Sequence, residues 1–474
     1  MKKSLFLFFA LFTALLPLRA GTELKKSVTW ERIQANAAEL PVCGRIKALP
    51  SELGRPSCWS VGCETLDRDY SDFESYREFV GLTGVGYGRL QSGWAKTETR
   101  KGRYDFSWLD RHVDGLLEQG VRPWICLCYG NPIYSDHGFD LNAKLFPDGK
   151  IMDAWLRYVE ACVKRYKDKV CMYEIWNEPD NRRALDSYGL YANLFVRTAE
   201  LIRRTDPDAV IAALGSCSPD RQYIRQFLDE TAKLGGLGYV DYLSYHAYWE
   251  IPETLIPAIR ELEADVAARS PRTRLLQGET GCPAQLEYGH ALKNLEWDEY
   301  SQAKWDLRNM MVHFSMGIPY SVFTMVDLNY GWMMQSFGLI RMQLDAKPVY
   351  LRPKFYAVQH VTTVFGPGTA AVPEVSAQAE GRDDLYSFGL GRDGRKLGCV
   401  LWLGGSKPSS SLERTPCSVR ITGMEFSDPV YLDLLTGLVH EIPGGSFCSL
   451  PLWDSPIVIV ERSAACGLYT GSLP

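Results

Sequence analysis

The chain has 474 residues, of which 46% are hydrophobic and 23% charged, with a formal net charge of −5. That length exceeds one core of ordinary size and that composition is too apolar for a disordered chain, so a single small binding module is excluded. The mildly acidic balance also speaks against a nucleic-acid partner, since phosphate contacts need clustered Lys and Arg.

Residues 1–20 read as an export signal: basic Lys2 and Lys3, an apolar run from Leu5 to Leu18, then Arg19 and Ala20, with cleavage expected after Ala20. The run of fourteen residues falls short of the roughly 20 needed to cross a bilayer, and there is no second long apolar stretch. No stable membrane insertion is expected once the signal is removed, and the expected location is secreted or periplasmic. The thirteen cysteines are odd in number and irregular in spacing, so they form no disulfide framework. Cys58 with Cys63 and Cys417 with Cys448 are the pairs to check for oxidation after export.

Over residues 51–365 one unit repeats, a short apolar run followed by a longer segment with helical spacing, which is the pattern of βα units. The strands predicted are Trp59–Gly62, Gly86–Leu90, Arg122–Cys128, Met172–Trp176, Val210–Leu214, Tyr242–Tyr245, Arg274–Gln277 and Tyr320–Thr324. Eight units over this span predict an α/β fold of the (β/α)8 TIM-barrel type. The helical stripes Leu109, Val113, Leu116 and Trp155, Tyr158, Val159, Cys162 read as helix-to-barrel packing. An open doubly wound sheet would carry a glycine-rich phosphate loop; Gly84-Val85-Gly86-Tyr87-Gly88 has the wrong spacing for one. Residues 366–474 read as a linker, extending to Ala379, and a C-terminal β-sandwich domain built on Leu385–Leu390, Gly398–Leu403, Val419–Thr422, Val430–Leu434 and Pro456–Val460, with a hairpin turn at Asp393-Gly394. Residues 21–50, between the signal and the barrel, fit against either domain.

In such a barrel reacting side chains project from the C-terminal ends of strands. The fourth predicted strand runs on into Asn177-Glu178-Pro179, and the seventh into Gly278-Glu279-Thr280. Two carboxyl groups facing one pocket are what glycosidic bond cleavage requires, one to protonate the leaving oxygen and one to attack the anomeric carbon or activate water. Alone, either Glu reads more readily as a solvated loop acid or salt-bridge partner. Only seven His occur and no His-Glu-x-x-His motif is among them, so a metal-dependent hydrolase is not expected, nor any cofactor.

Trp176-Asn177-Glu178-Pro179 resembles the acid/base motif of the clan A glycoside hydrolases, retaining (β/α)8 enzymes with catalytic glutamates ending strands four and seven. The resemblance implies Glu178 as acid/base, Glu279 as nucleophile and Asn177 on the substrate's 2-hydroxyl. It further implies Arg89 as support for the nucleophile and, in Tyr245-His246-Ala247-Tyr248, His246 lining the sugar site with Tyr248 bonded to the nucleophile. Trp94 opens a segment, through Glu98 to Asp110, similar to the clan's strand-two loop and helix. Ser336–Ile340, Lys347-Pro348 and Phe355-Tyr356-Ala357 resemble the barrel exit of β-xylosidase and α-L-iduronidase relatives. Phe323 departs from the pattern, since relatives place a Trp there. Trp94, Trp249 and Trp332 are candidate sugar-stacking platforms. The expected function is therefore a retaining glycoside hydrolase acting on β-linked oligo- or polysaccharide, with Glu178 kept protonated by burial and by its partner's charge. The alternative is a non-catalytic carbohydrate-binding barrel.

Overall fold

The computed structural model describes residues 24–471 apart from 37–38, 137, 139, 141–148, 182–187 and 445–446. The expected export signal, and part of the loop after the third barrel strand, therefore lie outside the described residues. Eight parallel strands close into a barrel: Trp59–Gly62, Tyr87–Gln91, Arg122–Leu127, Met172–Ile175, Val210–Ser216, Tyr242–His246, Arg274–Thr280 and Tyr320–Val322. The first strand pairs with the eighth, Trp59 opposite Tyr320, which completes the ring. All eight predicted strands are present, with ends displaced by two residues or fewer except in the seventh, which runs on to Thr280.

The helices wrap the barrel through the stripes that the sequence displays. Ser107–Glu118 buries Leu109, Val113 and Leu116, and Gly120 just past its end takes a left-handed φ of 76° that other residues adopt at a cost. Gly149–Tyr166 buries Trp155, Tyr158, Val159, Cys162 and Val163. Ile256–Arg269 buries Ile259, Leu262 and Val266. These apolar stripes are what fix each helix against the sheet, since helices of this length draw most of their stability from packing.

Beyond the barrel lie an antiparallel sheet of eight strands and a three-stranded sheet. The stretch read as a linker is structured: Thr369–Val372 pairs with Leu385–Arg392, and Ser376–Ala379 pairs with Thr415–Thr422. The Asp393-Gly394 turn joins Leu385–Arg392 to Arg395–Leu403 with positive φ at both residues, as a tight hairpin demands. The N-terminal segment touches both parts: Val42–Ile46 inserts between Leu438–Glu441 and Tyr469–Gly471, while Trp30 stacks on Tyr356 at 4.1 Å and the Lys25 amide donates to the Val349 carbonyl. The barrel and the sandwich are joined by buried charge. Arg308 binds Glu253 through two hydrogen bonds of 2.7 and 2.5 Å and also donates to the Ser406 carbonyl, while Trp402 donates to Glu253 at 2.7 Å. Cys58, Cys63 and Cys417 all stand as free thiols, so neither Cys58 with Cys63 nor Cys417 with Cys448 is joined.

Candidate active site

The C-terminal mouth of the barrel holds a cavity of about 680 Å³ whose lining includes Glu64, Asn177, Glu178, Tyr248, Glu279 and Phe323. Two local irregularities aim the glutamates into it. After the fourth strand, Trp176 and Glu178 take φ of 71° and 50°, a left-handed conformation that costs energy in non-glycine residues and turns the chain sharply at the mouth. The Glu178 amide is pinned there by donating to the Gly215 carbonyl at 2.8 Å. On the seventh strand the register slips, so that Gln277 opposes Tyr245 while Glu279 opposes His246. Such a bulge re-aims a side chain, and Gly278 permits it, because a Cβ there would sit 2.2 Å from Ser244 Oγ.

The two carboxyls meet as a result. One oxygen of Glu178, one of Glu279 and a ring nitrogen of His246 all lie within 4.8 Å of one another. His246 Nδ1 is 3.0 Å from Glu178 Oε1 and 3.8 Å from Glu279 Oε1. Asn181 Nδ2 donates to Glu178 Oε2 at 3.3 Å.

Glu279 is gripped from two sides. Tyr248 Oη donates to its Oε1 at 2.7 Å, and Arg89 Nη1 donates to its Oε2 at 2.7 Å. Arg89 is fully buried, and all five of its N–H groups are spent: Nε and Nη2 on Glu174 Oε2, Nη2 also on Asn177 Oδ1, and Nη1 on both Glu64 and Glu279. Burial alone drives the Glu279 carboxyl toward its neutral form, but the positive charges of His246 and Arg89 and the Tyr248 hydrogen bond outweigh it and hold the group below the usual carboxylate range. For His246 burial disfavours the cation, yet the charges of Glu279 and Glu178 prevail and raise it to about 9. Burial pushes the Tyr248 phenol well above its ordinary value, so it stays a donor.

Of the residues singled out in the sequence, Glu178, Glu279, Asn177, Arg89, His246, Tyr248 and Phe323 converge on this cavity or directly beneath it. Trp94 does not. It is fully buried, donates to Glu98 at 2.6 Å and stacks on Tyr134 and Tyr158 at 5.3 and 5.7 Å, so neither ring face is open to a sugar. The aromatic rings at the mouth are Trp249 and Trp332, 38% and 69% exposed, with His290 stacked on Trp332 at 5.4 Å. The ring of Phe323 packs edge-on against Tyr248 and Phe337 at 6.5 and 5.8 Å, forming part of the apolar floor. Glu64 and Glu174, both tied to Arg89, are site residues that sequence reasoning misses. Glu64 lies two residues past the first strand, and the strand-end rule that selects Glu178 applies to it equally.

Comparison with known proteins finds the following likenesses. The model of glycosyl hydrolases family 39 matches residues 85–271, a span that holds Arg89, Asn177, Glu178, His246 and Tyr248. No curated protein matches the chain in sequence. Among solved structures, a family 39 glycoside hydrolase from Bacteroides cellulosilyticus WH2 is similar with a TM-score of 0.63 at 19% identity, over 86% of this chain and 81% of that one. A family 30 endoxylanase from Clostridium papyrosolvens C71 is similar with a TM-score of 0.55 at 15% identity, over 89% and 99%. A glucosidase from Croceicoccus marinus gives 0.53 at 13%, over 89% and 97%. At these identities the structural likenesses establish the fold.

Proposed function

We propose that the chain is a clan A retaining glycoside hydrolase, with Glu279 its nucleophile, Glu178 its general acid and base, and the β-glycoside of a neutral sugar its substrate. The observation that carries the reading is that one carboxylate oxygen of Glu178 and one of Glu279 lie within 4.8 Å of each other, too close for the about 6.5–9.5 Å of inverting pairs and nearer the about 5–5.5 Å of retaining ones.

The environments divide the labour. Glu279, held ionised by Arg89 and Tyr248, attacks the anomeric carbon to form a glycosyl ester. Glu178 delivers a proton to the leaving oxygen and then takes one from the incoming water. His246 Nδ1, 3.0 Å from Glu178 Oε1, orients the carboxyl for both transfers. Asn177 has its carbonyl fixed on Arg89, which leaves the amide donors for the sugar's 2-hydroxyl, a contact that strengthens as charge develops.

A neutral sugar is favoured by the lining. Among the described residues the cavity presents the carboxyls of Glu64, Glu178 and Glu279 and no Lys or Arg, and Arg89 beneath has no N–H left for a substrate carboxylate. The N-terminal sequence supports export of the enzyme, to the periplasm or beyond the cell. A panel of aryl β-glycosides tests the assignment: neutral glycosides should be hydrolysed with retention, and preferential cleavage of a β-glucuronide would reject the substrate class. In Glu178→Ala, glycosides with activated phenolate leaving groups should keep their glycosylation rate while poor leaving groups lose theirs; equal loss across the series would reject the role of Glu178.

A further inference from the structure

Three carboxyls, those of Glu64, Glu174 and Glu279, converge on the single buried guanidinium of Arg89. Glu174 takes its Nε and one Nη2 hydrogen bond; Glu64 and Glu279 share Nη1, each at 2.7 Å. Glu64 Oε1 and Glu279 Oε2 are thus held against one nitrogen, in a place closed to water on the Glu64 side. Three buried carboxylates would bring three negative charges to one guanidinium, and two ionised carboxylates sharing a nitrogen offer each other only acceptors and repel. One of the pair must carry a proton, and the nucleophile must not.

We propose that Glu64 is a positioning residue held as a neutral carboxylic acid, donating its hydrogen bond to the Glu279 carboxylate and so aiming the nucleophile without adding a second negative charge beside it. The inference rests on the assignment of Glu279 as nucleophile. Burial agrees with it: the Glu64 side chain is 2% exposed. Desolvation and then the charge of Glu279 raise its carboxyl to about 8 against the opposing pull of Arg89 and His246. The other titratable groups facing it include the phenols of Tyr248 and Tyr330 and the thiol of Cys63, all raised and therefore uncharged. An acid kept neutral so that it can donate is a known use of an apolar site.

The test compares Glu64→Gln with Glu64→Ala on an activated aryl glycoside, for which protonation by Glu178 matters little. Gln reproduces a neutral acid, with an N–H for Glu279 and a carbonyl for Arg89. It should retain the glycosylation rate within about 3-fold, whereas Ala should lose about 10–100-fold, the range expected for a hydrogen bond to a charged group. The protonation state is read separately by infrared difference spectroscopy between neutral and alkaline pH in a Glu178→Gln background. A protonated-carboxyl band should vanish on titration near pH 8 and be missing when Glu64→Gln is added. If Gln is as damaging as Ala, or if no such band is lost with Glu64, the proposal is overturned. The infrared result needs no turnover, so it distinguishes failure of this proposal from failure of the nucleophile assignment.

Discussion

Tyr248 meets Glu279 end-on: its hydroxyl donates to Glu279 Oε1 at 2.7 Å while its ring is held edge-on against Phe323 and Phe337 at 6.5 and 6.2 Å. The ring packing sets the direction of the O–H, and the O–H sets one oxygen of Glu279. Removing only the oxygen, in Tyr248→Phe, should lower kcat by about 10–100-fold, corresponding to the roughly 1.5–3 kcal/mol of a hydrogen bond to a charged group. The packed ring is kept, so the denaturation midpoint should stay close to that of the wild type. A variant with unchanged kcat would show that the bond does not matter to catalysis.

Arg89 should behave in the opposite way, with a large effect on folding. It neutralises carboxyls from the first, fourth and seventh strands and their exits. Breaking a buried pair by removing one partner costs about 3–5 kcal/mol because it strands uncompensated charge. Arg89→Met should therefore unfold at clearly lower urea concentration as well as lose activity, and urea titration followed by tryptophan fluorescence measures it. Equal stability would mean that the cluster is not held by its cation.

The two tryptophans Trp94 and Trp332 separate structure from binding. Trp94→Ala empties a buried aromatic stack and should cost about 3–5 kcal/mol of stability. Trp332 is 69% exposed at the cavity mouth; Trp332→Ala should leave stability within about 0.5 kcal/mol. It should raise KM for a disaccharide roughly 5–30-fold, the equivalent of about 1–2 kcal/mol of lost apolar contact. Paired thermal melts and initial rates on mono- and disaccharide aryl glycosides check both.

The pH dependence of stability has a definite sign. His246 is raised from 6.5 to about 9 in the folded state, so its contribution is fully present below pH 6.5 and is lost as pH rises through about 9. Glu64, raised from 4.5 to about 8, acts in the same direction over its own window. Glu279, held low, contributes above 4.5 and loses its contribution only in acid. Urea midpoints should thus fall between neutral pH and about pH 10, and by less in His246→Asn than in the wild type. A steeper fall in the variant would contradict the charged state of His246.

The barrel was legible because each strand is a short apolar run set off by a longer amphipathic segment, and because the helical stripes coincide with buried faces, as in Gly149–Tyr166. The meeting of Glu178 and Glu279 was legible because strand ends in this architecture open onto one mouth. What escaped depends on contacts between segments far apart in sequence. Trp94 sits beside a strand end like any stacking platform, and only Tyr134 and Tyr158 closing on both faces bury it. Thr369–Val372 and Ser376–Ala379 are rich in small residues, which have little strand preference of their own. Backbone pairing such as Ala371 opposite Leu390 and Ala377 opposite Ile421 makes them strands. Glu64 gains its meaning only from Arg89, a residue on the neighbouring strand.

The assignment of Glu279 is tested most directly by trapping the covalent intermediate. Incubation with a 2-deoxy-2-fluoro β-glycoside bearing an activated leaving group should inactivate the enzyme with time, and peptide mass spectrometry should place the added sugar on Glu279. An adduct on another residue, or an intact Glu279 peptide in an enzyme that the reagent has fully inactivated, would contradict it.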